Sequence, residues 1–451
     1  MAQTGDPGPF DEDILGCPRC AGSLGRVMGG LGCQRCAATY PVFGAVPCLV
    51  DDPGLWRTIW LRRLDDYTSG AETRVEALRR EAEATHLSPR TRARLLRVAA
   101  GLAHQVESVT ATFEPLDRED ADPLVAAAIP GRTDASEQLA VLDQYEAVFR
   151  DWAWGAAEHE LALEMLRPLV PAAGVDRAVI HGAGAGRLAV EIHQRFGPTR
   201  TIALELNPFP LLMAARLLAG ETVALPEFPI QPRSDDVVVV TRELTRPFPV
   251  RPGFGLVLAD PLQPPLRAGS VHLVVTTWFL DRARTDLRET AAAINRVLRP
   301  GGRWVNIGPL RFTTELSRAY TIEEVLEIVG ASAFDVTARA EQDLPSFHSP
   351  VSGARRTELV YGFSAAKTGE SARVEIPDTV PPWVANPRVP IPVTASMIAL
   401  GRTSMFTTGV LGLIDGTRSV VDVAGELGKA WGIEPARLQE ELRAFLARLP
   451  G

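Results

Sequence analysis

The run RAVIHGAGAGRLAVEIHQRF (177–196) decides the fold. Its first residues are apolar and β-branched, glycine alternates with alanine at 182–186, and apolar residues then recur at helical spacing. The pattern predicts a strand, a tight glycine turn and a helix. Gly182, Gly184 and Gly186 allow a ligand to approach the backbone closely at the helix N-terminus. A turn of this kind serves a dinucleotide or S-adenosylmethionine equally well. The next apolar run, TIALEL (201–206), carries Glu205 about twenty residues on, where a carboxylate accepts hydrogen bonds from a ribose diol.

Later segments extend the pattern. FGLVLAD (254–260) predicts a third strand ending near Asp260, whose carboxylate suits the exocyclic amine of adenine. VHLVVTTWFLD (271–281) predicts a fourth strand running into Thr277 and Asp281. ETAAAINRVLRPGGRWVNIGP (289–309) reads as a helix stopped by Pro300-Gly301-Gly302, then a fifth strand. Alternating strands and helices over 151–366 imply an α/β fold with a mostly parallel sheet. In that order, the glycine turn, Glu205, Asp260 and the Leu-Arg-Pro-Gly-Gly stop resemble class I methyltransferases, which implies S-adenosylmethionine rather than NAD and a Rossmann-like core with seven strands.

The 451 residues exceed one compact domain. Five segments are expected: a Cys/Gly-rich module at 11–52, a helical region at 53–150, the core at 151–366, a Pro-rich linker at 367–395 and a small module at 396–451. The net charge of -8 removes general nucleic-acid binding, which needs a basic excess to neutralise phosphates. The apolar runs are too short to span a bilayer and the acidic N-terminus is no secretory signal, so a soluble cytoplasmic protein without a membrane partner is expected.

All five cysteines fall within the first 48 residues. Cys17-Pro18-Arg19-Cys20 and Cys33-Gln34-Arg35-Cys36 are two CxxC knuckles twelve residues apart, which supply the four thiolates of a closed, structural Zn²⁺ site. Cys48 stands outside the pattern and reads as a small buried residue. The surrounding wording, with Tyr40-Pro41-Val42, resembles the Trm112-like zinc ribbon, whose members accompany or activate methyltransferases; Ala45-Val46-Pro47 stands where that family usually has Gly-Ile-Pro.

Between about 145 and 366 the chain resembles the carnosine N-methyltransferase-like family. The resemblance is carried by FRDWAWGAAEHE (149–160), HGAGAGRLAVEI (181–192), ALELNPFPLLMA (203–214), VVTTWFLDRA (274–283) and RPGGRWVNIGPLRF (299–312). It implies an S-adenosylmethionine-dependent N-methyltransferase acting on an imidazole. Arg150 would lie near the methionine carboxylate of the cofactor with Gln144 as a helper, Gly182, Gly184 and Arg187 around its amino-acid end, Glu205 at its ribose and Asp260 at its adenine. Thr277 stands where the family tends to have Cys, and Asp281 matches the acidic residue that binds the substrate imidazole. Read without the resemblance, Asp281 could instead cap the helix beginning near Thr285.

One departure bears on the substrate. Where carnosine-type members carry tyrosines, this chain reads Gly353-Ala354-Arg355-Arg356-Thr357-Glu358, whose guanidinium groups would suit an anionic group. The expected substrate is therefore a small peptide or natural product bearing an imidazole or similar nitrogen. The alternatives are an O-methyltransferase of another metabolite and a non-catalytic cofactor-binding scaffold. The last module resembles PqqD-like winged-helix modules, through Asp415-Gly416-Thr417-Arg418-Ser419-Val420 and two amphipathic helices near Val420–Lys429 and Pro435–Leu449, which would imply peptide binding.

Overall fold

The computed structural model describes residues 14–116, 141–283, 285–312, 316–372, 405–415 and 417–446. The acidic N-terminus and most of the expected linker lie outside these. The chain divides into two units, Met1–Val374 and Glu375–Gly451.

The first unit is built on a seven-stranded sheet. Its strands are β5 (Arg177–His181), β6 (Arg200–Glu205), β9 (Phe254–Leu258), β10 (Val271–Thr277), β11 (Leu298–Gly308), β12 (Phe334–Ser346) and β13 (Arg356–Lys367), in the order β12-β13-β11-β10-β5-β6-β9. The pairs β9/β6, β6/β5, β5/β10 and β10/β11 are parallel, whereas β13 runs antiparallel to both its neighbours. Helices cover both faces, so the central strands are buried throughout and read as unbroken apolar runs. The order reverses between β5 and β10, which opens a crevice at their carboxyl ends. This is the expected mostly parallel seven-stranded architecture of the class I methyltransferase fold.

Crossover helices follow the sequence pattern. Arg187–Phe196 (called α5, after four earlier helices among the described residues) follows the glycine turn, and Pro208–Leu218 (α6) follows β6 with Asn207 as its N-cap. Leu287–Val297 (α7) links β10 to β11, and Ile322–Ala331 (α8) starts at a Thr321/Glu324 capping box. The stop at Pro300 differs from expectation. α7 ends at Val297 and β11 begins at Leu298, so Pro300-Gly301-Gly302 is an irregularity inside the strand, where pairing shifts between Val271–Leu298 and Leu273–Arg303. The residue before proline avoids helical backbone, and Gly301 takes φ 70°, which re-aims the strand. The β7–β8 hairpin (Val223–Glu227, Val240–Leu244) interrupts the simple alternation between β6 and β9.

The modules expected at 11–52 and 53–150 share the core of this unit. The Cys-rich segment forms β1–β4 (Leu24–Val27, Gly30–Cys33, Thr39–Phe43, Val46–Pro47). It continues onto the edge strand β9: Cys48 bridges Leu258 in parallel, and Leu49 N–H donates to Leu258 O at 2.7 Å. Leu15 bridges Leu266 on the other side. Part of an open edge of unpaired amides is thereby covered. Helices α1 (Pro53–Ala82) and α2 (Pro89–Phe113) form a hairpin, and their Trp60, Leu64 and Phe113 join the cluster that contains Ile180 and Val275. Among the described residues the other early helices are α3 (Tyr145–Phe149) and α4 (Ala156–Leu166).

In the second unit, α9 (Val420–Trp431) and α10 (Pro435–Leu446) confirm the two helices read from the sequence. Val410, Val423, Leu427 and Leu442 form its core. Asp415 accepts backbone N–H bonds from Thr417 (2.9 Å) and Arg418 (3.0 Å), which makes the expected turn. Among the described residues this unit holds helices and turns, with no strand of a wing. No described helix is long and apolar enough to cross a membrane.

His181 ends β5 fully buried, with both ring nitrogens unbonded and its ring 5.8 Å from Phe279. Burial disfavours the imidazolium and pushes its pKa down to about 3. The unfolded chain takes up this proton near pH 6.5, whereas the folded chain does not until about pH 3. Its contribution to stability is therefore complete above pH 6.5 and is lost as pH falls toward 3, by up to about 1.4 kcal/mol per pH unit. Urea unfolding of His181→Leu between pH 7 and 4.5 should show a shallower acid decline than the parent. Identical slopes would contradict this account.

Candidate active site

The glycine turn takes its shape from three left-handed residues, with φ 72° at Gly182, 54° at Gly184 and 84° at Gly186. The amides of Gly182 and Ala183 both donate to Leu204 O at 3.1 Å, and Gly184 N–H donates to Glu205 Oε2 at 2.9 Å. Glu205 Oε1 accepts from the amides of Leu206 (2.9 Å) and Asn207 (3.0 Å). Three backbone donors thus fix this buried carboxylate at the mouth of the crevice. A carboxylate oxygen has two acceptor sites, so Oε2 retains one. A side chain at Gly184 would meet Gln144 Oε1 at 2.8 Å, which places Gln144 over the turn. Gly186 serves packing instead: a Cβ there would meet Ala214 at 3.2 Å.

Arg150 begins a π-helical turn, Arg150–Trp154, a form that concentrates at functional sites. Its guanidinium lies 2.9 Å from Asp151 Oδ1 and over the ring of Phe347. Asp151 is buried, which alone would raise its pKa; Arg150 and the His159 contact at 3.2 Å outweigh that and hold the carboxyl below its ordinary range. Trp152 Nε1 donates to Ala185 O at 2.8 Å and ties this turn to the glycine turn. Arg187 is placed differently from the family expectation. It is buried, bonds Asp151 O (3.1 Å) and Glu191 Oε1 (2.5 Å), and packs on Trp152 and Phe248. Its side chain locks the turn to α5.

The other carboxyl-end residues gather at β9 and β10. Asp260 lies two residues beyond β9, accepts Leu262 N–H at 2.9 Å, and has its pKa raised by burial. Thr277 Oγ1 donates to Gly182 O at 3.3 Å, joining β10 to the glycine turn. Trp278 then adopts φ 47° with its N–H on Ile307 O at 2.9 Å. Asp281 sits in the 3-10 turn Leu280–Arg282, 6% exposed, and its Oδ1 has no hydrogen-bond partner. Burial raises its pKa, opposed by the Arg311 amide and charge. Asp286, not Asp281, caps α7, accepting Arg288 N–H at 2.9 Å, so the capping role open to Asp281 in the sequence is taken by another residue.

The Arg355-Arg356 pair divides between a loop and the cleft beside Glu358. Arg355 donates to Ser349 O (3.2 Å) and Ser352 O (2.9 Å) and holds its own loop, while Arg356 stacks on the far-reaching ring of Phe347. His348 likewise builds the loop, contacting Arg356 O at 2.7 Å. The residue the sequence reading passed over is Glu358. It is 6% exposed, accepts Trp278 Nε1 at 3.2 Å, and lies 3.0 Å from Arg311. Its signal was strand alternation, since it shares the inward phase of β13 with Val360.

The Sγ atoms of Cys17, Cys20, Cys33 and Cys36 all lie within 4.8 Å of one another. Cys48 is fully buried away from that group, as expected.

Residues 241–347 match the family model described as carnosine N-methyltransferase, a segment that contains Asp260, Thr277 and Asp281 but not the glycine turn. No curated protein matches. Among solved structures, the N-methyltransferase NodS from Bradyrhizobium japonicum WM9 in complex with S-adenosyl-L-homocysteine is 15% identical over 51% of this chain and 99% of that chain, TM-score 0.35. The Haemonchus contortus phosphoethanolamine N-methyltransferase 2 is 14% identical over 52% and 58%, TM-score 0.34. The complex of the Haloferax volcanii Trm112 methyltransferase activator with a methyltransferase gives 16% over 51% and 96%, TM-score 0.34. The sheet order and the family match together make the core that of an S-adenosylmethionine-dependent methyltransferase.

Proposed function

We propose that this protein methylates an imidazole or similar ring nitrogen of a small peptide or natural product. The observation that carries the reading is Asp281: a buried carboxylate with an unbonded oxygen, just past the β10 end beside the glycine turn. S-adenosylmethionine, when bound, supplies a methyl group on a sulfonium. Glu205 Oε2 would accept a ribose hydroxyl, Asp260 would face the adenine amine, and Arg150 with Gln144 would hold the amino-acid end. Gly182 and Gly184 would let that end approach, and Thr277 would wall it. The fit rests on Glu205, whose carboxylate is held ready by three amides while keeping one acceptor site.

A neutral imidazole offers one ring lone pair to the methyl carbon while its other nitrogen carries hydrogen. Methyl transfer from the bound sulfonium to that lone pair would leave a neutral thioether and place the positive charge on the ring. Asp281 would accept the second ring N–H, fix the tautomer, stabilise the growing charge and receive the proton. Burial raises its pKa and so strengthens it as an acceptor. Alignment of the nucleophile supplies most of the remaining rate.

Asp281→Asn should leave S-adenosylhomocysteine affinity unchanged and lower methyl transfer to histidine-containing dipeptides about a hundredfold or more. NMR of the product should place the methyl on a ring nitrogen. Methylation on oxygen or an aliphatic amine, or full activity in the variant, would contradict the assignment.

The four cysteines suit a structural Zn²⁺, since their convergence leaves no open position for catalysis. Elemental analysis should find about one zinc per chain, and Cys17→Ser should lower the melting temperature because a structural site contributes to folding. A metal content far below one, with unchanged melting, would contradict it.

A further inference from the structure

Two carboxylates, not one, are buried around Trp278. Asp281 follows it in the same loop, and Glu358 approaches from β13 to accept its indole N–H at 3.2 Å. Each is 6% exposed, and each has an oxygen without a hydrogen bond, Asp281 Oδ1 and Glu358 Oε1. Burying a charge without donors is costly, so such oxygens are retained where a ligand completes them. Glu358 lines a cleft with Pro309, Leu310, Arg311, Arg356 and Thr357.

What Glu358 faces indicates the chemistry it takes. The nearest cation is the Arg311 guanidinium, 3.0 Å from Oε1 without hydrogen-bond geometry, on a side chain 62% exposed. Arg356 is farther, 3.9 Å, and 48% exposed. Long exposed cations hold weakly, because water screens them and ordering them costs rotamer entropy. The fixed partner is the carboxylate; the arginine occupies a cation position from the solvent side.

Resting on the imidazole reading above, we propose that Glu358 is a substrate-binding residue that receives a protonated amine of the substrate in place of Arg311, while Asp281 takes the ring. The substrate class is accordingly an imidazole that also bears an ammonium group, and the expectation of an anionic partner for Arg355 and Arg356 gives way to a cationic one for Glu358. An ammonium is compact and offers three donors, so it can give Oε1 the hydrogen bond that the Arg311 guanidinium, 3.0 Å away, lacks the geometry to make.

The test uses the full chain with S-adenosylhomocysteine at pH 8, where free imidazole is neutral. Calorimetry compares three probes: histamine (ring and amine), imidazole-4-acetate (ring and carboxylate) and putrescine (amines without a ring). Histamine should bind best, and Glu358→Gln should weaken it about ten- to a hundredfold, the range for losing a charged hydrogen bond, while leaving imidazole-4-acetate unaffected. Arg311→Ala, which retains the backbone amide facing Asp281, should tighten histamine binding by removing the competing cation. Putrescine binding that depends on Glu358, with no ring compound bound, would uphold the ammonium site while sinking the imidazole reading. Imidazole-4-acetate binding as tightly as histamine, no cation responding to Glu358→Gln, or weaker histamine binding in Arg311→Ala would overturn the proposal.

Discussion

The contact from the Gly184 amide to the Glu205 carboxylate joins the first two parallel strands where they end, and the crevice is organised around it. It requires a left-handed backbone at residue 184 and a carboxylate at the last residue of β6. Once made, it presents backbone and carboxylate on one side of the switch between β5 and β10, while Thr277 fastens the other side to Gly182 O. Trp152 and the buried Asp151–Arg187 network brace the same turn from behind. All three glycines leave room that neighbours fill: a side chain would meet Phe279 at Gly182, Gln144 at Gly184 and Ala214 at Gly186, while Arg187 is buried behind the turn.

A parallel sheet of this kind leaves an edge at β9, and the Cys-rich segment meets it through a single parallel bridge at Leu258. The same backbone leads within two residues to Asp260. The ribbon therefore borders the segment that carries Asp260, through the bond from Leu49 N–H to Leu258 O. This ties the four thiolates to the active site by packing rather than by chemistry.

Much of this was legible in the sequence because local pattern and tertiary role coincide. Unbroken apolar strands, alternating glycines and acids at strand ends each have one physical reading, and Glu205, Asp260, Thr277 and Asp281 fall at the carboxyl ends where those patterns place them. The paired CxxC spacing likewise brought Cys17, Cys20, Cys33 and Cys36 together. What could not be read is what depends on side-chain partners distant in sequence. Arg187 reads as a cofactor contact, and its bonds to Asp151 and Glu191 come from residues far off or a turn away; Arg355 reads as a substrate contact yet holds its own loop, whereas Arg356 lines the cleft beside Glu358. Glu358 drew no reading of its own, because inward phase on β13 depends on which way that antiparallel strand is turned. The Pro-Gly-Gly stop misled for a related reason: proline and glycine end helices, yet a bulge inside a strand accommodates them too.

Glu205 and the glycine turn are the proposed S-adenosylmethionine site, on which the proposed chemistry depends. Calorimetric titration of the full chain with S-adenosylhomocysteine and with NAD, in parallel with Glu205→Ala, tests it. The expected result is binding of S-adenosylhomocysteine alone, weakened in the variant by about 1.5–3 kcal/mol, as for loss of a hydrogen bond to a charged group. Binding of NAD, or an unaltered affinity in Glu205→Ala, would contradict it.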